Sequence, residues 1–332
     1  MAEQTTLRFG IVGTNFISDW IIAGGRQDSR FELTAVCSRS EETGNVFAAK
    51  HQIPHVFTSP EQMAASGLID AVYIASPNAF HARQSILFMK KGIHVLCEKP
   101  LASNLDEADA MMRTARRNKV VLMEAMKPTL TPNFKQVRSH LSRLGQIRNY
   151  FSCYCQYSSR YDKLKEGIVL NAFRPELSNG ALMDIGVYTI YPMVVLFGKP
   201  DRIHASGLML PTGVDGAGSV IFDYEKMRAE IVYSKIANSY LPTEIQGEDA
   251  TLTLDRINII SKVNLHLKDH TTEDLTLPGE KDEYYYEIAE FIDVIKNGER
   301  ESAVNSLANS RIVMEILDEI RRQIGVVYPS DL

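Results

Sequence analysis

"FGIVGTNFISDWI", residues 9–21, decides the fold. Phe9 to Val12 is an apolar run that reads as a buried strand, and a helical pattern follows from about Ile17 to Gln27. A strand that turns on glycine directly into a helix is the setting of a dinucleotide-binding turn, whose pattern is G-x-G-x-x-G/A. The three places here hold Gly13, Asn15 and Ser18, so only the first keeps glycine. Asparagine tolerates left-handed backbone angles better than most residues and serine is small, so the turn geometry stays within reach. The helix start then offers backbone N–H groups and a partial positive charge to phosphates. Gly13, Thr14, Asn15, Phe16 and Ile17 are the candidate cofactor contacts of this turn.

Outward from this stretch, apolar runs alternate with helical patterns as far as residue 125. "FELTAVC" (31–37), "HVF" (55–57), "DAVYIA" (70–75), "HVLC" (94–97) and "VVLMEA" (120–125) read as strands. Helices are predicted between them, one opening at Ser59-Pro60-Glu61-Gln62, with a serine cap, proline at the first helical position and glutamine three after the cap. Near-continuous apolar strands separated by helices imply a parallel sheet covered on both faces, and right-handed crossovers make it a doubly wound Rossmann-type domain.

After Ala125 the pattern changes. Helices are predicted over 132–144 and 184–197 and a long strand over 146–158. Strands follow near 202–210, 217–224, 227–236, 243–254, 257–267 and 273–277, then helices over 283–297 and 305–324. Consecutive strands without intervening helices indicate a mostly antiparallel open sheet in an α+β domain. The reading is a nucleotide-binding domain over 1–125 and a substrate-binding and oligomerisation domain over 126–332.

The composition excludes several functions. With 332 residues, 36 basic side chains among 41 acidic ones and a net charge of −5, the chain carries no basic run for nucleic acid. No apolar stretch approaches the roughly 18 to 20 residues that span a bilayer, and the N-terminus lacks an export signal. A cytoplasmic protein is expected. Cys37, Cys97, Cys153 and Cys155 lack the paired spacing of a zinc site and read as reduced, buried thiols; no metal is expected.

The second strand bears on the nucleotide. Binding a ribose 2′-hydroxyl calls for an acid about 20 residues beyond the turn. Here the strand ends on Ser38 and Arg39, with no acid before Glu41. A guanidinium at that tip suits a 2′-phosphate, so NADP(H) is preferred, with NAD(H) possible. After the fourth strand, Ser76, Pro77, Asn78 and His81 lie at the carboxyl edge of the sheet and join the cofactor candidates. The fifth strand ends "HVLCEKPLA" (94–102), delivering Glu98, Lys99 and Pro100 where a ligand crevice opens. Proline stiffens that turn and restricts Lys99 to extended angles, which aims its side chain.

"GIVGTN" (10–15), "SPNAFH" (76–81), "EKPLA" (98–102) and "NGALMDIGVYTIYP" (179–192), in this order and spacing, resemble the Gfo/Idh/MocA oxidoreductases along essentially the whole chain. The resemblance implies that Lys99 reaches the nicotinamide and the substrate hydroxyl, that Glu98 helps to set the cofactor site, and that the Lys99–Pro100 peptide is cis. Many relatives carry D-x-G-x-H in the last motif. Here Asp184 is followed by Tyr188 in the histidine's place, which resembles the tyrosine-containing branch of trans-dihydrodiol dehydrogenase, NADP-dependent xylose dehydrogenase and glucose-fructose oxidoreductase. Lys99, Tyr188 and Asp184 are therefore the catalytic candidates: Tyr188 exchanges a proton with a secondary hydroxyl or carbonyl, Lys99 holds the oxygen and tunes the phenol, and Asp184 orients a substrate hydroxyl or Lys99. Arg160, Asn171, Phe173 and Arg174 are candidate substrate contacts, with Tyr284 to Tyr286 as weaker ones.

The expected activity is NADP(H)-dependent hydride transfer to or from a sugar, polyol or cyclic dihydrodiol, with a homodimer or larger homo-oligomer formed through the open sheet. A non-catalytic nucleotide sensor needs neither Lys99 nor Tyr188. A redox-neutral glycosidase using NAD favours an acid where Ser38 and Arg39 stand.

Overall fold

The computed structural model describes residues 6–332 and divides them into two units. The first contains β1 (Leu7–Val12), α1 (Phe16–Gly25), β2 (Phe31–Cys37), α2 (Glu41–His51), β3 (His55–Phe57), α3 (Pro60–Ala65), β4 (Ala71–Ile74), α4 (His81–Met89), β5 (His94–Glu98), α5 (Leu105–Asn118) and β6 (Leu122–Ala125). All six strands are parallel, in the order β3-β2-β1-β4-β5-β6, so the direction of winding reverses between β1 and β4. The interior positions of β1, β4 and β5 are buried on both faces, which is why those strands read as unbroken apolar runs. Helix starts follow side-chain chemistry: Asn15, Ser40, Ser59 and Asn104 each accept a backbone N–H in the first turn. The predicted Ser59–Pro60 start is present, with Ser59 Oγ accepting from Gln62 N at 3.2 Å.

The second unit contains α6 (Pro132–His140), β7 (Ile147–Cys155), α7 (Ser159–Lys165), α8 (Val187–Phe197), β8 (Arg202–Met209), β9 (Asp215–Asp223), β10 (Arg228–Ser234), β11 (Thr243–Gly247), β12 (Ala250–Leu254), β13 (Val263–Leu267) and β14 (Thr272–Asp274). Its eight strands run in the order β14-β13-β12-β11-β7-β10-β9-β8, with β7–β10 the one parallel pair. Ala229, Ile231 and Tyr233 are buried on the face of β10, where α8 packs. The alternating positions Ile221, Glu230, Val232, Glu244, Thr251 and Thr253 are only half-buried.

Several sequence expectations are corrected. The stretch 243–254 is a hairpin rather than one strand. At its bend Gly247 passes so close to Leu144 that a Cβ would meet that carbonyl, and Glu248 and Asp249 then donate backbone N–H groups to Gln146 and Leu144. The strand expected over 257–267 starts at Val263, because Asp255 Oδ1 folds the preceding loop by accepting from Ser261 N and Lys262 N. The helix expected to Leu144 ends at His140 and continues as a 3₁₀ turn. The helix expected from Asp184 is entered through a π-helical turn, Leu182–Gly186. By length and composition the helical run Pro175–Phe197 does reach membrane-spanning size, contrary to the sequence reading, but 72% of its apolar window is buried inside the protein, as in a core helix. Cys155 is half-exposed rather than buried, and its Sγ lies 3.6 Å from that of Cys153.

The largest correction concerns the end of the chain. Residues 281–308, with α9 (Glu283–Lys296), belong to the first unit, and 309–332, with most of α10 (Leu307–Ile324), to the second. A single cut at 125 misses this return. Its cause is an amphipathic α9 that buries Ile288, Phe291 and Ile292 completely, each worth roughly 1.5–3 kcal/mol, with Phe291 stacked 6.1 Å from Phe9 of β1. Arg30, already paired with Asp28, binds Asp293 at 2.6 Å.

Close packing of α1 on α9 depends on Gly24. A Cβ there would lie 2.6 Å from Tyr284 Cβ and 2.8 Å from backbone atoms of Tyr284 and Tyr285. Gly24→Ala is expected to destabilise the protein by about 1–3 kcal/mol through overpacking, seen as a lower urea midpoint; an unchanged or higher midpoint would contradict this packing.

Candidate functional site

At the end of β1, Gly13 has φ +110°, and a Cβ on it would come within 2.9 Å of the Ala75 carbonyl oxygen after β4. Only glycine fits this approach. Asn15 is not left-handed, as the sequence reading allowed; it sits at φ −91°, ψ 176° as the cap of α1. Its Oδ1 accepts from Ile17 N and Ser18 N, while its Nδ2 donates to Ala75 O at 2.9 Å. Ser18, fully buried in the place of the third glycine, donates to Gly13 O at 2.9 Å. Thr14 and Ile17 are half-exposed and Phe16 is exposed beside Trp20, their rings 5.0 Å apart.

The loops after β4 and β5 are joined to this turn. His81 has no exposed surface; Nδ1 lies 2.9 Å from Pro100 O and Nε2 2.8 Å from Ser76 O. Burial pushes its pKa down, opposed by the two carbonyls, and a neutral ring can donate to only one of them. His81 therefore ties two loops together and offers no surface to a cofactor, which corrects its place among the direct contacts. Asn78 is buried, Pro77 half-buried, and Ser76 Oγ donates to Gln84 Oε1 at 2.6 Å. At the tip of β2, Ser38 is buried with its hydroxyl 2.6 Å from that of Thr43, leaving exposed Arg39 as the side chain presented to solvent.

The Lys99–Pro100 peptide is cis, as the resemblance implied, and Lys99 is half-buried. Glu98 accepts from the Tyr73 hydroxyl and, at 3.1 Å, from Lys99 N. Burial raises the Glu98 pKa, countered by the charge of Lys99 and the Tyr73 hydrogen bond. Sequence reasoning missed Glu287 in the same unit. It is 1% exposed, neither carboxyl oxygen has a hydrogen-bond partner, and burial followed by the charge of Glu98 holds it well above the usual carboxylate range. Lys127, also buried, pairs with Glu283 and lies 4.5 Å above the Tyr284 ring. Tyr284 packs inside this unit, and Tyr285 and Tyr286 meet edge to face, centroids 5.4 Å apart.

In the second unit the run Gly180 to Val194 is buried at every position except Asp184 and Tyr188. The π turn is seated by Asp215, whose Oδ2 accepts from Leu182 N at 2.8 Å, and by Gly186, whose missing Cβ lets it lie against Leu182 and the Tyr233 ring. Asp184 pairs with Lys235, another residue that sequence reasoning missed; the sequence had offered it a substrate hydroxyl or Lys99. The signal was available, because Lys235 ends an apolar strand as Lys99 does. Tyr188 lies 5.7 Å, edge to face, from Tyr154, whose hydroxyl donates to Gln156 and accepts from Asn258. Of the candidate substrate contacts, Phe173 is fully buried under Lys235 at 5.8 Å and is a core residue, a second correction. Arg160 is half-exposed, and Asn171 and Arg174 are exposed. Among the described residues no group of three or more His, Cys, Asp or Glu side chains is placed to hold a metal ion.

Burial pushes Asp215 up to about 6, against the backbone N–H groups that favour its charged form. A folded-state pKa above the unfolded value of about 3.9 means that its contribution to stability is complete below that value and is lost as pH rises through about 6. Asp215→Asn, which accepts the same N–H but does not titrate, is expected to gain up to about 2–3 kcal/mol on the wild type between pH 4 and pH 7.5. Urea unfolding at both pH values measures this, and a pH-independent difference would refute it.

The family model described as "Oxidoreductase family, NAD-binding Rossmann fold" matches residues 7–126, and the "GFO/IDH/MocA C-terminal domain" matches residues 134–253. The scyllo-inositol 2-dehydrogenase (NADP(+)) IolU of Bacillus subtilis (strain 168) is 50% identical over 325 residues, covering 98% of this chain and 99% of that protein. The trans-1,2-dihydrobenzene-1,2-diol dehydrogenase of Danio rerio is 32% identical over 350 residues, covering 98% and 99%. In fold, levoglucosan dehydrogenase, solved in complex with NADH, superposes with a TM-score of 0.87 at 18% identity, over 98% of this chain and all of that one. Two family models spanning both units and a relative identical at half its positions establish that the chain belongs to the Gfo/Idh/MocA family of oxidoreductases.

Proposed function

We propose that the protein is an NADP(H)-dependent dehydrogenase of a ring-shaped polyol, oxidising a secondary hydroxyl or reducing the corresponding ketone. One observation carries the reading: the helical run from Gly180 to Val194 is buried except at an acid and a phenol, Asp184 and Tyr188. An apolar helix built for packing alone has no use for either group. The relatives point to the same substrate class, since scyllo-inositol and dihydrobenzenediol are both six-membered rings with adjacent hydroxyls.

The residues present fit a dinucleotide. The cradle at Gly13 excludes any Cβ, and the amides at the start of α1 follow it. Gly13, Thr14, Asn15 and Ile17 hold the pyrophosphate in this reading, and Arg39 holds the 2′-phosphate, which favours NADP(H) over NAD(H). Bound there, the nicotinamide supplies the two-electron hydride chemistry.

The chain's own groups handle the proton. Tyr188 takes the hydroxyl proton during oxidation and returns it during reduction. Lys99 is assigned to hold the reacting oxygen. Asp184 accepts a neighbouring substrate hydroxyl, which fixes the carbon that reacts. Glu98, bonded to Tyr73 and to Lys99 N, keeps the lysine loop in place. A cytoplasmic homo-oligomer completes the reading, its contact made by the half-buried sheet face bearing Ile221, Val232 and Thr253.

Inositols, sugars and dihydrodiols assayed with each cofactor should give reduced nicotinamide in step with product, most efficiently with NADP and a cyclic polyol. Tyr188→Phe is expected to lose at least about 100-fold in kcat while still binding NADPH; full activity in this variant would overturn the mechanism. Arg39→Asp should weaken NADP use relative to NAD by about 10-fold or more, and an unchanged ratio of the two kcat/KM values would remove Arg39 from cofactor selection.

A further inference from the structure

Lys235 has no part in the chemistry above, yet it is an ammonium taken out of water at the end of β10. It is 4% exposed, and its side chain lies over the Phe173 ring at 5.8 Å. Its backbone is held on both sides, N–H donating to Gly216 O and carbonyl accepting from Ser158 N, each at 2.9 Å. The origin of the side chain is therefore fixed, and from it the ammonium reaches the carboxylate of Asp184. Asp184 itself keeps 30% of its side chain exposed. One partner is buried, while the other keeps part of its surface in solvent, as Tyr188 does.

Burying a lysine carries a desolvation cost that an apolar side chain of similar volume would not, so this pair is poorly explained as a device for stability alone. Its geometry suits another purpose. A carboxylate at the end of a flexible side chain has two χ angles to fix before it can select one hydroxyl of a ring. A buried ammonium paired with it fixes them.

We propose that Lys235 is a positioning residue for substrate selection: it clamps Asp184 in one rotamer so that the carboxylate accepts a single ring hydroxyl next to the one that reacts. The proposal rests on the assignment of Asp184 and Tyr188 above. A hydroxyl held this way is bound equally in the ground and transition states, so its loss appears in KM rather than in kcat.

The test is steady-state kinetics of the full-length protein with NADP and scyllo-inositol, or the polyol that the panel selects. Lys235→Met is expected to raise KM for the polyol about 10- to 100-fold, the range of a hydrogen bond to a charged group, with kcat changed less than about 3-fold. Lys235→Gln, polar and close in length, provides the same measurement if the methionine variant does not fold. Asp184→Asn should show the same KM effect, and adding Lys235→Met to it should change kcat/KM by less than about 2-fold, because the clamp has nothing left to hold. Trp20, the single tryptophan and 49% exposed on α1, reports NADPH binding by its fluorescence, which should be as in the wild type.

An unchanged KM in the lysine variants, or a full additional loss in the Asp184→Asn background, would overturn the clamp. If Tyr188→Phe is inactive while Lys235→Met behaves as wild type, only this inference fails. If Tyr188→Phe is fully active, the reading of the site fails with it.

Discussion

The nucleotide-binding unit turns on an atom that is missing. With no Cβ on Gly13, the Ala75 carbonyl can approach the β1 turn, and the same carbonyl then takes the amide of Asn15, whose oxygen caps α1. Ser18 closes the ring by returning a bond to Gly13. The next residue along, Ser76, passes the registration to His81, and His81 passes it to Pro100, beside Lys99. A line of backbone acceptors, each within reach of a buried or capping side chain, thus registers the carboxyl ends of β1, β4 and β5 against one another. Buried hydrogen bonds of this kind are costly to break, because each leaves an unsatisfied group behind.

The two units treat buried charge in opposite ways. In the first, Glu287 is buried with neither carboxyl oxygen hydrogen-bonded, and burial and then the charge of Glu98 raise its pKa. In the second, Lys235 and Asp184 form an ion pair, with the acid partly in solvent. The unpaired arrangement needs no geometric precision. The paired one does, and precision is what a carboxylate beside Tyr188 can use.

Much of this was legible in the sequence, for identifiable reasons. The parallel unit announced itself because strands buried on both faces must be apolar at every position. Gly13 and Lys99 stood out because glycine after a strand and charge at the end of an apolar run are hard to explain by packing, and Asp184 and Tyr188 through the resemblance to the family's D-x-G-x-H motif. What stayed hidden depends on the third dimension. The π turn at Leu182 is set by Asp215, more than 30 residues away, and leaves no local periodicity of its own. Ser38 and His81 looked like ligand contacts because polar residues at a sheet edge usually are; Thr43 and two backbone carbonyls engage them instead. Phe173 was chosen by proximity in sequence and turned out to be core. Lys235 was overlooked although it ends a strand just as Lys99 does, because it has no proline after it to mark the turn.

The return of α9 to the first unit has a consequence for how the chain is made. The nucleotide-binding unit consists of two stretches, Met1–Lys127 and Lys281–Ala308, with the whole of the sheet-rich insertion between them. During translation, β6 leaves the ribosome long before α9 does, and at about 5–20 residues per second the interval is on the order of ten to thirty seconds. For that time the apolar surface that Phe291 and Ile292 will cover is bare, and Gly24 has no helix to receive. A shortened chain ending near residue 125 would remain permanently in that state, so the nucleotide-binding half is not a module that can be cut out at its apparent boundary. Completion of the first part of this protein waits on nearly its last.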